Sequence, residues 1–362
     1  MNRERMTGSP PERAPIRVLL VDDSPVALAM LQRMLAPSPG IRVVGTAANG
    51  REALQLIPRL QPDVICTDLQ MPEMNGLELT REVMARFPRP ILAISSTVRA
   101  TDSKANYPVL EAGALDIVAK PAGETGADFE RLARDLAAKI RIVAGVHVFK
   151  RAAASLQPSD RSAVMRSQEA PAAARMVVIG ASTGGPLVLR SIVEQLPQSY
   201  GLPVLCVQHI STGFLAGLVE WIAGQSRVRV KIASSGEVPE PGTVYFPQEN
   251  MHLEVDARGN LQSSHKPAVD GHRPSITITM LSAAAYYGHS AVGVLLTGMG
   301  TDGAAGLQAI SERGGMTIAQ DEASCAVFGM PKDAISRGAA RYVLPPMEIA
   351  RMLTSLRPIA VP

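Results

Sequence analysis

The sequence predicts an α/β protein of two domains, each a mostly parallel sheet wrapped by helices. Three observations predict this. At 362 residues the chain exceeds one core of ordinary size. Short apolar runs rich in Val and Ile alternate with segments whose apolar residues recur at helical spacing. That alternation comes in two blocks, with a stretch between them where it fades. Apolar residues at 46% and charged residues at 19% fit a folded globular chain.

In the first block "IRVLLV" (16–21) reads as a buried strand, and Ala27, Met30, Leu31, Met34 and Leu35 follow on one helical face. A second strand surrounds Val43 and Val44, before a helix carrying Ala53, Leu56, Ile57 and Leu60. "DVICTD" (63–68), "PILAIS" (90–95) and "DIVAK" (116–120) continue the rhythm. Such order implies a parallel sheet with helical crossovers. Residues 141–175, containing "KRAAASLQPSDRSAVMRSQEAPAAAR", read as a linker whose alanines could support some helix. From Met176 the pattern resumes with strands "MVVI" (176–179), "PVLCV" (203–207) and "AVGVLL" (291–296), and a helix through Leu189, Ile192, Val193 and Leu196. "GTVYFP" (242–247) and "MHLEV" (251–255) suggest a hairpin or an edge addition. "ITIT" (276–279) is β-branched, but Thr277, Met280, Leu281 and Ala284 share a helical face, which favours helix. The expected organisation is a flexible extension (1–15), a first domain (16–140), the linker (141–175) and a second domain (176–362).

Lys+Arg 36 against Asp+Glu 33 leaves a charge of +3, with no concentrated basic patch and no helix-turn-helix. Nucleic-acid binding is therefore not expected. The opening "MNRERMTGSPPERAP" has no apolar core of the kind a secretory signal needs, and no run approaches the roughly 20 residues that span a bilayer. A cytoplasmic protein without membrane insertion is expected. Cys66, Cys206 and Cys325 lack CxxC spacing and read as buried reduced thiols.

Asp22 and Asp23 close the first strand, Asp68 the third and Ser95 the fourth, and Lys120 closely follows the fifth. In a parallel sheet these ends share one edge, where ligands of doubly wound folds bind. Three converging carboxylates repel one another unless a hard cation such as Mg²⁺ sits among them. A carboxylate there can accept a phosphoryl group whose oxygens a hydroxyl and an ammonium hold. Helix capping by strand-terminal aspartates is the bland alternative. "LLVDDS", "DVICTDLQMPEMNGLEL" and "GALDIVAKP" resemble a two-component response-regulator receiver domain, of flavodoxin-like fold. The resemblance implies phosphorylation of Asp68 by a histidine kinase, Mg²⁺ bound by Asp23 and Asp68 with Asp22 assisting through water, and sensing by Ser95 and Lys120. Ile117 stands where that family often has an aromatic switch.

"GASTG" (180–184) fits G-x-S-x-G, a sharp strand-to-helix turn that exposes a serine. A phosphate loop would add a lysine after the glycines, where Pro186 and Leu187 stand, so a nucleophilic Ser182 is the favoured reading. A serine needs a base. Among six histidines His209 directly follows a buried strand, although an isolated histidine is more often structural. The third such strand ends in "TGMGTDG" (297–303), which supplies Asp302 to orient the imidazole and a Met299 N–H for the oxyanion. The chain order Ser, His, Asp departs from that of ordinary α/β-hydrolases. His252 reads as half-buried structure. In "GHRPS" Ser275 is a candidate N-cap, with Arg273 in surface pairing or, more sharply, substrate contact.

"VVIGASTGGP", "VQHI", "HRPS", "LLTGMGTDGAAGL" and "TIAQDEASCAVFGMPKDAI" closely resemble the catalytic domain of the chemotaxis protein-glutamate methylesterases, the CheB family. The resemblance implies a doubly wound hydrolytic domain, with Ser182 as nucleophile, His209 as base, Asp302 as its partner, the Met299 amide at the oxyanion and Thr183 helping to place the histidine. It implies hydrolysis of glutamate γ-methyl esters on methyl-accepting chemoreceptors with release of methanol, deamidation of receptor glutamines, and no cofactor at the triad. A CheA-like kinase is the implied phosphodonor. Ser211-Thr212 and "VYFPQENMHLEV" depart from the family pattern in loops expected to border the site. A phosphorylation-gated binding module is the rival reading.

Overall fold

A computed structural model describes residues 14–96, 107–121, 126–146 and 173–359. Most of the expected extension and linker lies outside the described residues.

Strands β1 (Ile16–Val21), β2 (Ile41–Ala47), β3 (Val64–Asp68), β4 (Ile91–Ser95) and β5 (Asp116–Ala119) form a parallel sheet in the order β2-β1-β3-β4-β5. Helices α1 (Pro25–Leu35), α2 (Gly50–Leu60), α3 (Gly76–Arg86), α4 (Pro108–Ala112) and α5 (Gly126–Ala144) connect and cover it. Every residue of β3 and β4 is buried, which is why these segments show no polar alternation. Helix starts are locally encoded: Ser24 caps α1, and Asn75 with Glu78 forms a capping box on α3. The strand order reverses between β1 and β3, so Asp22, Asp23 and Asp68 flank the crevice that this reversal opens.

The second half carries β6 (Ala173–Ala174), β7 (Met176–Ala181), β8 (Val204–Gln208), β9 (Arg229–Ile232), β10 (Thr243–Phe246), β11 (His252–Val255), β12 (Leu261–Ser264), β13 (Ala291–Leu295), β14 (Met316–Gln320), β15 (Tyr342–Leu344) and β16 (Arg357–Pro358). Its helices are α6 (Gly185–Val193), α7 (Leu215–Ala223), α8 (Ile276–Tyr287), α9 (Ala304–Glu312), α10 (Met330–Ser336) and α11 (Pro346–Ser355). Seven strands form one parallel sheet, β15-β14-β13-β7-β8-β10-β9. The chain builds outward from β7 through β8, then returns to β13 on the other side. The reversal therefore lies between β7 and β13.

The expected pairing of 242–247 with 251–255 is overturned. β10 is buried throughout and lies between β8 and β9, parallel to both. β11 instead pairs antiparallel with β12 around an Asp256–Asn260 turn. The segment 276–279 is helical, as expected, and Ser275 accepts a hydrogen bond from Ile278 N–H.

The two halves touch. Tyr107, at the start of α4, is buried, stacks on Trp221 with ring centroids 5.2 Å apart, and donates its hydroxyl to the Phe214 carbonyl at 2.6 Å. Glu111 of α4 pairs with Arg190 of α6, whose guanidinium lies 4.6 Å from the Trp221 ring centroid. One apolar cluster includes Tyr107 and Leu110 of the first half together with Leu189 and Trp221 of the second.

Candidate active site

The register brings the three predicted side chains to one edge. Ala181 and Gln208 are partners across β7 and β8, so Ser182 and His209 each leave the sheet one residue later, side by side. The His209 amide donates to the Ala181 carbonyl at 3.0 Å, and the Ser182 amide to the Thr297 carbonyl beyond β13, also at 3.0 Å. Asp302 follows on the same loop. All three thus surround the β7/β13 reversal.

Asp302 is almost fully buried at the N-terminus of α8. Its Oδ1 accepts from Ser275 Oγ at 2.8 Å and from Thr277 N–H at 2.9 Å. Its Oδ2 accepts from Ile276 N–H at 2.8 Å and lies 2.9 Å from His209 Nε2. Burial by itself would raise the carboxyl's pKa, but hydrogen bonds from His209 and Thr277 hold it well below the usual carboxylate range. The helix dipole acts in the same direction. Because Asp302 is ionised and carries no proton, Nε2 must hold the hydrogen in that bond. His209 Nδ1 is then the basic nitrogen. It is buried and has no hydrogen-bond partner among the described residues. The serine-to-imidazole bond is not formed in this geometry.

The loop after β13 passes directly against the nucleophile. A Cβ at Gly298 would lie 2.6 Å from Ser182 Cβ. The Gly298 carbonyl accepts from Gly329 and Met330 N–H, and Gly300 has φ +92°, so the loop turns sharply on either side of Met299. No backbone hydrogen bond from Met299 N–H occurs among the described residues, which leaves that donor available.

Thr183 departs from its expected role. Its hydroxyl donates to Asp116 Oδ2 of β5 at 3.3 Å rather than to the histidine. Lys139 of α5 holds the same carboxylate oxygen at 2.5 Å. Sequence reasoning missed Gln208, whose Nε2 donates at 2.8 Å to both the Ser182 and His209 carbonyls. It also missed Thr297, whose hydroxyl donates to the Thr183 carbonyl at 3.0 Å. A polar residue closing an otherwise apolar strand was the available signal for Gln208. His252 is fully buried rather than half-buried, accepting from Ser275 N–H at 3.1 Å through Nδ1. Arg273 donates to the His265 and Lys266 carbonyls, not to an acidic side chain. Ser211, Thr212, Gln248, Glu249 and Arg273 line one groove, together with Gln208 and Ile210 on either side of His209. Cys66 and Cys206 are buried, but Cys325 is only half-buried.

At the first site Asp22, Asp23 and Asp68 offer carboxylate oxygens within 4.8 Å of one another. Lys120 Nζ lies 2.7 Å from Asp22 Oδ2 and 3.1 Å from Asp68 Oδ2. Burial raises the Asp68 pKa, and the Lys120 charge opposes the rise. Ser95 is buried beside Ala119 in the β4–β5 ladder, its hydroxyl on the Ser96 carbonyl at 3.3 Å, and its own carbonyl accepts from Lys120 N–H at 2.6 Å. Ile117 is buried. An all-oxygen cluster half-open to solvent through exposed Asp23 fits a hard divalent cation.

Two family descriptions match this chain: a response regulator receiver domain over residues 18–126 and CheB methylesterase over residues 177–353. It is 41% identical over 342 residues to a protein-glutamate methylesterase/protein-glutamine glutaminase of Geobacter metallireducens, covering 94% of this chain and 99% of the relative. A protein of the same name in Anaeromyxobacter dehalogenans is 42% identical over 345 residues, covering 94% and 97%. Among solved structures, the catalytic domain of Thermotoga maritima CheB methylesterase is 38% identical, covers 50% of this chain and 98% of its own, and has a TM-score of 0.49.

Proposed function

This chain belongs to the family of receiver-linked protein-glutamate methylesterase/protein-glutamine glutaminases, and on that premise we propose that Ser182, His209 and Asp302 are its catalytic triad. It is a hydrolase of protein glutamate methyl esters under phosphorylation control through its receiver domain. The observation that carries the triad reading is the geometry of His209, which leaves the sheet beside Ser182, is fixed by Asp302 through Nε2 and keeps a free, buried Nδ1.

Ser182 Oγ attacks the ester carbonyl carbon while its proton passes to His209 Nδ1. Asp302 stabilises the imidazolium. The carbonyl oxygen becomes an oxyanion facing Met299 N–H, a donor type whose loss costs on the order of 10²–10³ in rate. The C–O bond to the methoxy group then breaks, and the proton on Nδ1 leaves with it as methanol. Water hydrolyses the acyl-serine by the same route in reverse, giving the glutamate. A glutamine side chain follows the same path and releases ammonia.

The substrates are methyl-accepting chemoreceptors in the cytoplasm, and the groove beside His209 selects among receptor segments. No described helix is long and apolar enough to cross a membrane. A chemotaxis-type histidine kinase phosphorylates Asp68, and Asp23 and Asp68 would hold Mg²⁺ with Asp22 assisting. When bound, the cation neutralises the acidic cluster so that a further anion can approach. Lys120 and Ser95 bind the phosphoryl oxygens. In the unphosphorylated chain the receiver restrains the site, since Asp116 holds the residue next to the nucleophile.

The test is methanol release from a methylated receptor fragment, with and without a small-molecule phosphodonor and Mg²⁺. Release that rises with the phosphodonor and vanishes in Ser182→Ala is expected. Native-rate release by Ser182→Ala would sink the triad.

A further inference from the structure

We propose that His272 is a positioning residue for the esterase reaction, its ring lying flat against the His209 imidazole and limiting the tilt of the ring whose Nδ1 takes the Ser182 proton. The proposal rests on the triad reading above.

The two rings are 3.8 Å apart between centroids and 9° from parallel. The Asp302 bond holds one edge of the His209 ring, at Nε2. A histidine ring held at Cβ and along one edge can still rock, because its second side-chain torsion has a broad, two-fold profile. A parallel ring over one face removes that motion. His272 is itself anchored, because its amide and carbonyl both bond to Val269, at 2.8 Å and 3.1 Å. Three residues later Ser275 donates to Asp302, so one short strap carries both the ring that covers His209 and the cap that orients its carboxylate partner.

The charge distribution suits this role. The charged groups that act on His272 are stacked His209, Asp302 and Asp270, and Lys139 on α5 of the receiver half. Burial, then the His209 charge, push its pKa down to about 4, with Lys139 acting in the same direction and both aspartates opposing. At neutral pH His272 is therefore uncharged. When His209 takes the serine proton, the resulting cation lies against a neutral aromatic face rather than a second positive charge.

The experiment uses the full chain with phosphodonor and Mg²⁺, reading methanol release from a methylated receptor fragment. His272→Ala is expected to lower kcat by about 10- to 100-fold with KM nearly unchanged, the size expected when a catalytic group is slightly misplaced. His272→Phe, which restores a flat ring without a titratable nitrogen, should recover most of the rate, with a pH profile superimposable on the native one from about pH 6 to 9. If alanine unfolds the strap, as shown by thermal melting, His272→Leu replaces it as the apolar variant without a flat face.

Native kcat in the alanine or leucine variant overturns the proposal. So does a phenylalanine variant no faster than alanine, a displaced pH profile in that variant, or a change confined to KM. Ser182→Ala in the same assay separates the two ideas. If it stays active, the triad itself is wrong. If it is dead while His272→Ala is native, only the present proposal falls.

Discussion

Asp302 makes the residue-scale logic plain, because one carboxylate serves both an imidazole and a helix terminus. Its four hydrogen-bond partners belong to His209, Ser275, Ile276 and Thr277. Asp302→Asn keeps the shape but offers an amide where an acceptor is needed, so kcat should fall on the order of 10³–10⁴-fold. The same change should cost about 1–3 kcal/mol of stability, since at least one buried N–H loses its acceptor. Methanol assays and urea titration of the variant check both figures. A pH effect follows from the same group. Its carboxyl pKa is lowered by folding, so its stabilising contribution is complete above the unfolded aspartate value of about 4 and is lost as pH falls below it. Acid titration followed by near-UV circular dichroism should show the native chain losing structure in that range, with a shallower dependence in the variant. Ser182 and His209 were legible because each follows a buried strand. The hydroxyl of Thr183 was not, because its partner Asp116 is distant in sequence and lies on another sheet.

At the scale of elements, α8 and α9 approach through Gly306. A Cβ there would lie 2.5 Å from Met280 Cβ and 3.0 Å from the Thr277 carbonyl. Gly306→Ala must therefore displace the first turn of α8, whose amides hold Asp302. A loss of about 1–3 kcal/mol is expected, as for other overpacked cores, together with reduced kcat. A native melting temperature would show that the helices part freely. The strand pattern was legible where strands are central and apolar, as in β3, β7 and β13. It failed for β9, "RVKI", whose alternating charge and half-burial mark a sheet edge. It failed also for the partner of β10. Two nearby apolar runs joined by a polar turn look like a hairpin, but β10 needs a strand on both sides because all four of its residues are buried.

For the whole molecule, the contact between halves is the part with functional leverage. Tyr107, Trp221, Arg190 and Glu111 form a patch that is partly apolar and partly ionic. Tyr107→Ala removes a buried ring and the hydrogen bond to Phe214. It should weaken the contact and raise methanol release by the unphosphorylated chain several-fold, narrowing the ratio gained on phosphorylation. Unchanged basal release would mean that this patch does not restrain the site. Removing residues 1–175 asks the broader question, and a remnant no faster than the unphosphorylated whole would exclude simple occlusion.

The amino-acid sequence by itself determined two α/β halves, the strand-end aspartates of one and the strand-end serine and histidine of the other, because hydrophobic periodicity and glycine turns are local properties. Only the tertiary structure decided which imidazole nitrogen is free, which ring covers it and which receiver side chain reaches Thr183. Those features depend on strand order and on packing between distant segments, and no local pattern of residues encodes them.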